Sequence, residues 1–269
     1  MHRTIRRKSQ AADRGNRMTR EHTVVSVKED RVEEALVHVC LEENISLYLN
    51  DTHITTLKIT PQDLEAFAIG FLICEGLVRD PGDISDVFID IPDIKVQARP
   101  CIHNADEISL EVRSAGVGIR HPQGITGPPL GKGIGIDVAT LFEGTRQVHE
   151  IASVWQLTGG THCTILVDHE GVVRSAAEDI GRHSSVDKAV GKALLSGIAP
   201  SECFMVCTGR LPADMVAKAY RAGISLIVSN NAPFASGIEL ADRMNMTLVG
   251  FARHPRMSIY THPERIRTG

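Results

Sequence analysis

Seven cationic or imidazole side chains stand at segment ends in the second half of this sequence. His162 closes the run Thr158-Gly159-Gly160-Thr161-His162. Arg182 and His183 close Glu178-Asp179-Ile180-Gly181-Arg182-His183. Arg210 follows Cys207-Thr208-Gly209. Arg253, His254 and Arg256 belong to Phe251-Ala252-Arg253-His254-Pro255-Arg256. Guanidinium groups fork onto phosphate oxygens, and glycine lets backbone amides approach a ligand closely. These residue types beside Gly159, Gly160 and Gly209 point to an anionic, phosphate-bearing ligand. Each run also has a structural explanation. Asp179 with Arg182 could be a local ion pair. His183 and Asp187, four apart, could bond to each other on a helix surface.

The elements that must position these side chains alternate in type. The spacing predicts helices at about 137–153, 179–196, 211–222 and 235–244. It predicts a hairpin at 162–176 turned by Asp168-His169-Glu170-Gly171, then strands at 203–207, 224–229, 246–251 and 257–260. In the 179–196 helix, Val186, Ala189, Val190, Ala193 and Leu194 recur as one apolar face, and Asp179 is placed to cap its start. Strands alternating with such helices imply an α/β layered sheet, partly parallel. In such sheets ligands bind beyond the carboxyl ends of strands, at helix starts. The four runs above fall there.

The first half reads differently. Residues 44–58 alternate around Asn50-Asp51, the pattern of a β-hairpin. Residues 60–76 read as a helix capped by Thr60, with Pro61 in its first turn and Gly76 at its end. Strands are expected at about 85–98 and 106–113. Residues 114–135 hold seven glycines and three prolines and are expected to be a mobile loop and domain boundary. Residues 1–20 carry seven Arg or Lys and one Asp without apolar periodicity, and are expected to be a disordered basic tail.

The composition narrows the function. Net charge is −4 and aromatics are 4%, against a nucleic-acid binder. No apolar run reaches the length of about 18 residues that a membrane span needs, and a cytoplasmic protein is expected. The six cysteines form no Cys-x-x-Cys pair. Cys203 and Cys207, in one strand, lie roughly 13 Å apart, beyond the disulfide limit of about 7 Å. The run 127–133 is near a phosphate-loop pattern, but Thr126 and Gly133 stand where it needs Gly and Ser or Thr. His262-Pro263-Glu264 fits the first half of a zinc-deaminase signature and no Pro-Cys-x-x-Cys follows, so no structural zinc is expected.

The motifs TPQDLEAFAIGFLICEGLV, TGGTH, EDIGRHSSVDKAVGKAL, TGRLPADMVAKAYRAGISLIVS and LVGFARHPRMSIYTHPERI occur in this order across residues 40–267. Together they resemble the FdhD family, the accessory sulfurtransferases of formate dehydrogenase. The resemblance implies a three-layer α/β/α domain similar to cytidine deaminases at 136–269, a smaller N-terminal α+β part at 21–113, and a homodimer. It implies transient binding of the molybdenum bis(molybdopterin guanine dinucleotide) cofactor, with the family's binding stretch on Phe251, Ala252, Arg253, His254, Pro255 and Arg256. The partners it implies are a cysteine desulfurase and the formate dehydrogenase apoprotein.

The sequence departs from the family pattern in the loop. The family's two loop cysteines match Ala115 and Gly118 here, and Ser184 stands where Asn is common. A thiolate must accept and pass on sulfane sulfur. Either another thiol does so, with Cys101 and Cys163 nearest the motifs, or transfer is lost and cofactor binding kept, as in a chaperone. A third reading is an unrelated nucleotide-binding enzyme of deaminase-like fold, against which its zinc ligands are missing.

Overall fold

The structure is a computed structural model that describes residues 18–99 and 125–268 with their side chains, and residues 4–7, 109–113 and 116–120 by strand pairing. Strands β1 (Thr4–Arg7), β2 (Thr19–Lys28), β3 (Arg31–Cys40), β4 (Glu43–Leu49) and β5 (Thr52–Ile59) precede helix α1 (Leu64–Cys74). β4 and β5 form the expected hairpin. Asn50 and Asp51 turn it at φ 48° and 67°, as a two-residue turn matched to strand twist requires. β6 (Ile84–Asp90) and β7 (Asp93–Ala98) complete a sheet of order β1-β6-β7-β4-β5, while β2 and β3, among the described residues, pair only with each other. β8 (Ser109–Arg113) pairs with β9 (Gly116–Arg120) in antiparallel register, Gly118 opposite Glu111. Thus a strand lies within the stretch 1–20 and another within 114–135, where a tail and a loop were expected. Ala115 and Cys101 lie outside the described residues.

Helix α1 starts later than its spacing predicts, and Thr60 is not its cap. Asp63, at φ 55°, holds that position without a side-chain cap bond. The Thr60 hydroxyl is buried. It donates to Asp179 Oδ2 at 2.8 Å and accepts from Lys188 Nζ at 2.7 Å. A buried ammonium has a stronger claim on a hydroxyl than a helix end does, because its desolvation costs more. Every α1 residue except Glu65 is buried, since the helix packs between the N-terminal sheet and the next layer. An all-round apolar helix is the expected result.

The second half comprises β10 (Ile136–Asp137), α2 (Val138–Ile151), α3 (Ser153–Thr158), β11 (His162–Asp168), β12 (Val173–Asp179), α4 (Arg182–Leu195), β13 (Cys203–Cys207), α5 (Ala213–Arg221), β14 (Leu226–Ser229), α6 (Ala235–Arg243), β15 (Thr247–Arg253), β16 (Arg256–Thr261) and β17 (Ile266–Arg267). Six strands form one sheet of order β12-β11-β13-β14-β15-β16. β13, β14 and β15 are parallel, and the other neighbours antiparallel. Strand alternation sends Met205 and Cys207 to a core with α4, α5 and α6, and Phe204 and Val206 to a core with α2. No helix among the described residues is long and apolar enough to cross a membrane.

Helices α1 and α4 cross in backbone contact. A Cβ on Gly70 would stand 1.8 Å from Asp187 O, and one on Gly191 1.8 Å from Ala66 O. Only glycine fits either place. Buried charges flank the crossing. Lys188 Nζ meets Asp179 Oδ2 at 2.7 Å, and Lys218 Nζ meets Glu75 at 2.7 Å and Asp187 at 2.8 Å. Burial drives the Lys188 ammonium down, with Asp179 opposing it. Burial also pushes the Asp187 carboxyl up to about 6, although Lys218 acts against that. The neighbouring Glu75 carboxylate, which shares the same ammonium, adds to the effect of burial. The crowding of charge in residues 178–188 therefore has a large structural component. Asp179 bonds Thr60, Lys188 and the Gly181 amide instead of capping α4 or pairing with Arg182, and Asp187 turns to Lys218 rather than to His183.

Candidate functional site

β13, β14 and β15 end at one edge of the sheet. Antiparallel pairing brings the start of β11 and the end of β12 to the same edge. His162, Asp179, Cys207, Ser229 and Arg253 terminate those strands, so the four runs singled out above converge there. Two groups of side chains result.

The first is a cleft of about 680 Å³ lined by Asn230, Asn231, Phe251, Arg253, His254, Pro255, Arg256, Met257 and Ser258, a size suited to a nucleotide-sized ligand. It is made by the β15–β16 hairpin, whose register shifts between Gly250 and Arg253. Phe251 sits at φ 51°, in the left-handed region, with its ring half exposed. Non-glycine residues in that region carry strain, and such strain concentrates at functional sites. Arg253 and Arg256 are direct cross-strand partners. Like charges placed opposite each other weaken a hairpin, and an anion between them removes that cost. The His254 ring packs edge-on against Phe142 of α2, 5.2 Å between centroids.

The second group gathers around Thr208 and Gly209. His162 Nδ1 lies 3.2 Å from Thr208 Oγ1. The Arg182 stem packs on Gly209, where a Cβ would come within 2.8 Å of it. His183 Nε2 meets Asp214 Oδ2 at 3.0 Å. Arg210 lies over the Phe234 ring, 5.6 Å from its centroid. Burial lowers the His162 imidazole below its ordinary range, and Arg182, His183 and Arg210 press it the same way. Burial also lowers His183, with Asp214 opposing. Both rings are therefore uncharged at neutral pH, and an incoming anion would favour their protonated forms.

The structure does not give every candidate a place in the cleft. Arg182, Arg210, His162 and His183 belong to the neighbouring group rather than to its lining. Asn231 bridges the two groups, its Nδ2 donating to Thr208 O at 2.8 Å. Ala252 is buried in the α2-side core. Gly159 ends α3 at φ 65°, and Gly160 faces the Cys40 sulfur, where a Cβ would come within 2.7 Å. Cys163 is buried, and burial pushes its thiol up to about 12. Burial and the raised thiol both work against a nucleophilic thiolate at Cys163. Cys203 and Cys207 are likewise raised by burial, to about 11. Among the described cysteines only Cys40 is not buried. Asn230 and Asn231 carry no charge and were not among the sequence candidates. Their signal was position alone, between a strand end and the Pro233 that precedes α6.

A partly parallel sheet flanked by helices, with cationic side chains gathered at its strand ends, defines a protein of α/β class. The chain belongs to the FdhD/NarQ family, whose family model matches residues 40–267. Its relatives include the sulfur carrier protein FdhD of Methanothermobacter thermautotrophicus, 39% identical over 214 residues, with 77% of this chain and 82% of that one covered. The sulfur carrier protein FdhD of Wolinella succinogenes is 34% identical over 235 residues, covering 85% and 82%. A crystal structure from Desulfotalea psychrophila, assigned as a formate dehydrogenase accessory protein, superposes with a TM-score of 0.76 at 26% identity. It covers 93% of this chain and 100% of that one.

Proposed function

We propose that this protein is an accessory factor in formate dehydrogenase maturation that holds a guanine-bearing molybdenum cofactor as cargo at the strand-end crevice. The observation that carries the reading is the placing of Arg253 opposite Arg256 in one cleft with Asn230, Asn231 and the exposed Phe251 ring. The guanidinium groups suit pyrophosphate oxygens, the amides suit a base edge, and the ring offers a stacking face. His162, Arg182 and Arg210 extend the cationic edge for a cargo with more than one phosphate group. The family membership and the relatives' names supply the role in formate dehydrogenase maturation. The likeness to cytidine deaminases, action in the cytoplasm and a homodimeric state belong to the same proposal.

As a sulfur carrier, the protein would take sulfane sulfur from the persulfide of a cysteine desulfurase. One of its thiolates attacks the outer sulfur and the desulfurase cysteine leaves as a thiolate. The protein would then pass that sulfur to the bound cofactor. A second reading, a cofactor chaperone without covalent chemistry, is favoured by Ala115 and Gly118 at the family's cysteine positions and by the protonated Cys163. Incubation with a cysteine desulfurase and cysteine, followed by intact mass measurement, separates the two. A gain of one sulfur that survives Cys163→Ala and vanishes in Cys101→Ala supports the carrier. No gain, with GDP binding retained, supports the chaperone. Absence of both ends the proposal.

A further inference from the structure

A chain of hydrogen bonds runs beneath the cleft, and one of its atoms fixes the orientation of all the others. Thr208 O is a backbone carbonyl and can only accept. Asn231 must therefore point its Nδ2 at it, at 2.8 Å. That same nitrogen lies 3.3 Å from Asn230 Oδ1. Asn230 is then obliged to present its own Nδ2 to His149 Nε2, 3.1 Å away. Consequently the His149 Nε2 must accept and carry no proton.

With both Asn231 amide protons directed to Thr208 and Asn230, its Oδ1 is the atom offered to a ligand in the cleft. An oxygen there accepts from the N–H groups of a guanine edge. The corresponding edge of adenine supplies a bare ring nitrogen in place of N1–H.

We infer that His149, which does not line the cleft, is a positioning residue that makes the cleft read guanine over adenine through Asn230 and Asn231. The inference rests on the nucleotide-binding reading above and adds the means of base selection to it. The surroundings of His149 suit the neutral state. Burial holds its pKa below the ordinary range, and Arg253 of β15 is the charged group that presses it further down. From α3 it meets the Trp155 ring, at 5.9 Å between centroids, and the Gln156 amide on its backbone carbonyl. Protonation would turn Nε2 into a donor, force the Asn230 amide to turn over, and bring two NH₂ groups face to face. Asn231 would then be held by Thr208 O alone, with a repelling amide in place of the Asn230 oxygen on its other side, and the direction of its own oxygen would loosen.

The test is calorimetric titration of the full chain with GDP and with ADP between pH 5 and pH 8. The ratio of their affinities isolates base reading, because both ligands carry the same phosphates and gain equally from any imidazole that protonates near them. The wild type is expected to prefer GDP by about tenfold at pH 8, the worth of one hydrogen bond, and to lose that preference as the pH falls. His149→Gln, whose amide oxygen can still accept, is expected to keep the preference and flatten its pH dependence. His149→Ala, which frees Asn230 and leaves Asn231 held by Thr208 O alone, is expected to show a weaker preference than the wild type at pH 8 and no pH dependence of it, while its thermal unfolding midpoint shows that it folds. A wild-type ratio near one at pH 8, or a ratio unaltered in His149→Ala, overturns the inference alone. Failure of the wild type to bind either nucleotide overturns the nucleotide-binding reading and this inference together.

Discussion

Arg253 and Arg256 stand opposite each other on a two-residue hairpin, a like-charge pairing whose cost a bound anion would remove. Replacing Arg256 by Ala is therefore expected to weaken GDP binding by about 1.5–3 kcal/mol, the range of a charge-assisted hydrogen bond. The same change is expected to leave the protein's stability unharmed, because it relieves a repulsion. Calorimetric titration beside thermal unfolding checks both, and an unchanged affinity would remove Arg256 from the site. At this scale the sequence was readable where charge marked the residue. Arg182, His183, Arg210, Arg253, His254 and Arg256 all reach the strand edge. It misled where a buried partner lay elsewhere in the chain. Asp179 is spent on Thr60 and Lys188, and Asp187 on Lys218. Asn230 and Asn231 lack charge and left no mark, since amides are common in any loop.

The elements were legible because their periods are local. The β4–β5 hairpin, the β11–β12 hairpin and the order of helices and strands after residue 136 follow from apolar spacing, with ends shifted by a few residues. Helix starts were less so. Thr60 has the chemistry of a cap and is drawn instead to a buried ammonium supplied by α4. The α1–α4 crossing was invisible, because a glycine in a helix reads only as a mild defect. Gly191→Ala is expected to force the helices apart, since the methyl would press on backbone atoms that cannot rotate away. Overpacking of this kind costs about 1–3 kcal/mol, or more where backbone must move, and about 2–4 °C of unfolding midpoint per kcal/mol at this size. A midpoint within a degree of the wild type would show that the crossing yields easily.

Across the whole molecule, the two halves are tied by buried charge as well as by apolar packing. Lys218 serves Glu75 from the N-terminal part and Asp187 from α4. Lys218→Ala would leave two buried carboxylates without it, at an expected cost of about 3–5 kcal/mol in urea unfolding. A loss under 1 kcal/mol would show that water replaces the ammonium. These groups also set the response to acid. His162 and His183 are held below their usual range. Their contribution is complete above about pH 6.5 and is lost as the pH falls through their folded values. Asp187 has the opposite sign: its contribution is complete below 3.8 and lost as the pH rises through about 6. The carboxyl thus offsets part of the acid loss from the imidazoles. Asp187→Asn removes that offset, so its stability is expected to fall more steeply than the wild type's between pH 6 and pH 4, by an amount on the order of 2 kcal/mol. Parallel stability curves for the two proteins would contradict the assignment.

The order of elements, the partly parallel sheet and the cationic runs at strand ends were determined by the sequence alone, because periodicity and turn chemistry act between residues a few positions apart. Which charged side chains serve the fold and which face the cleft was decided only by tertiary structure. A carboxylate is claimed by whichever cation lies nearest in the dry interior. For Asp179 and Asp187 those cations are lysines set there by helix crossings that local spacing cannot encode.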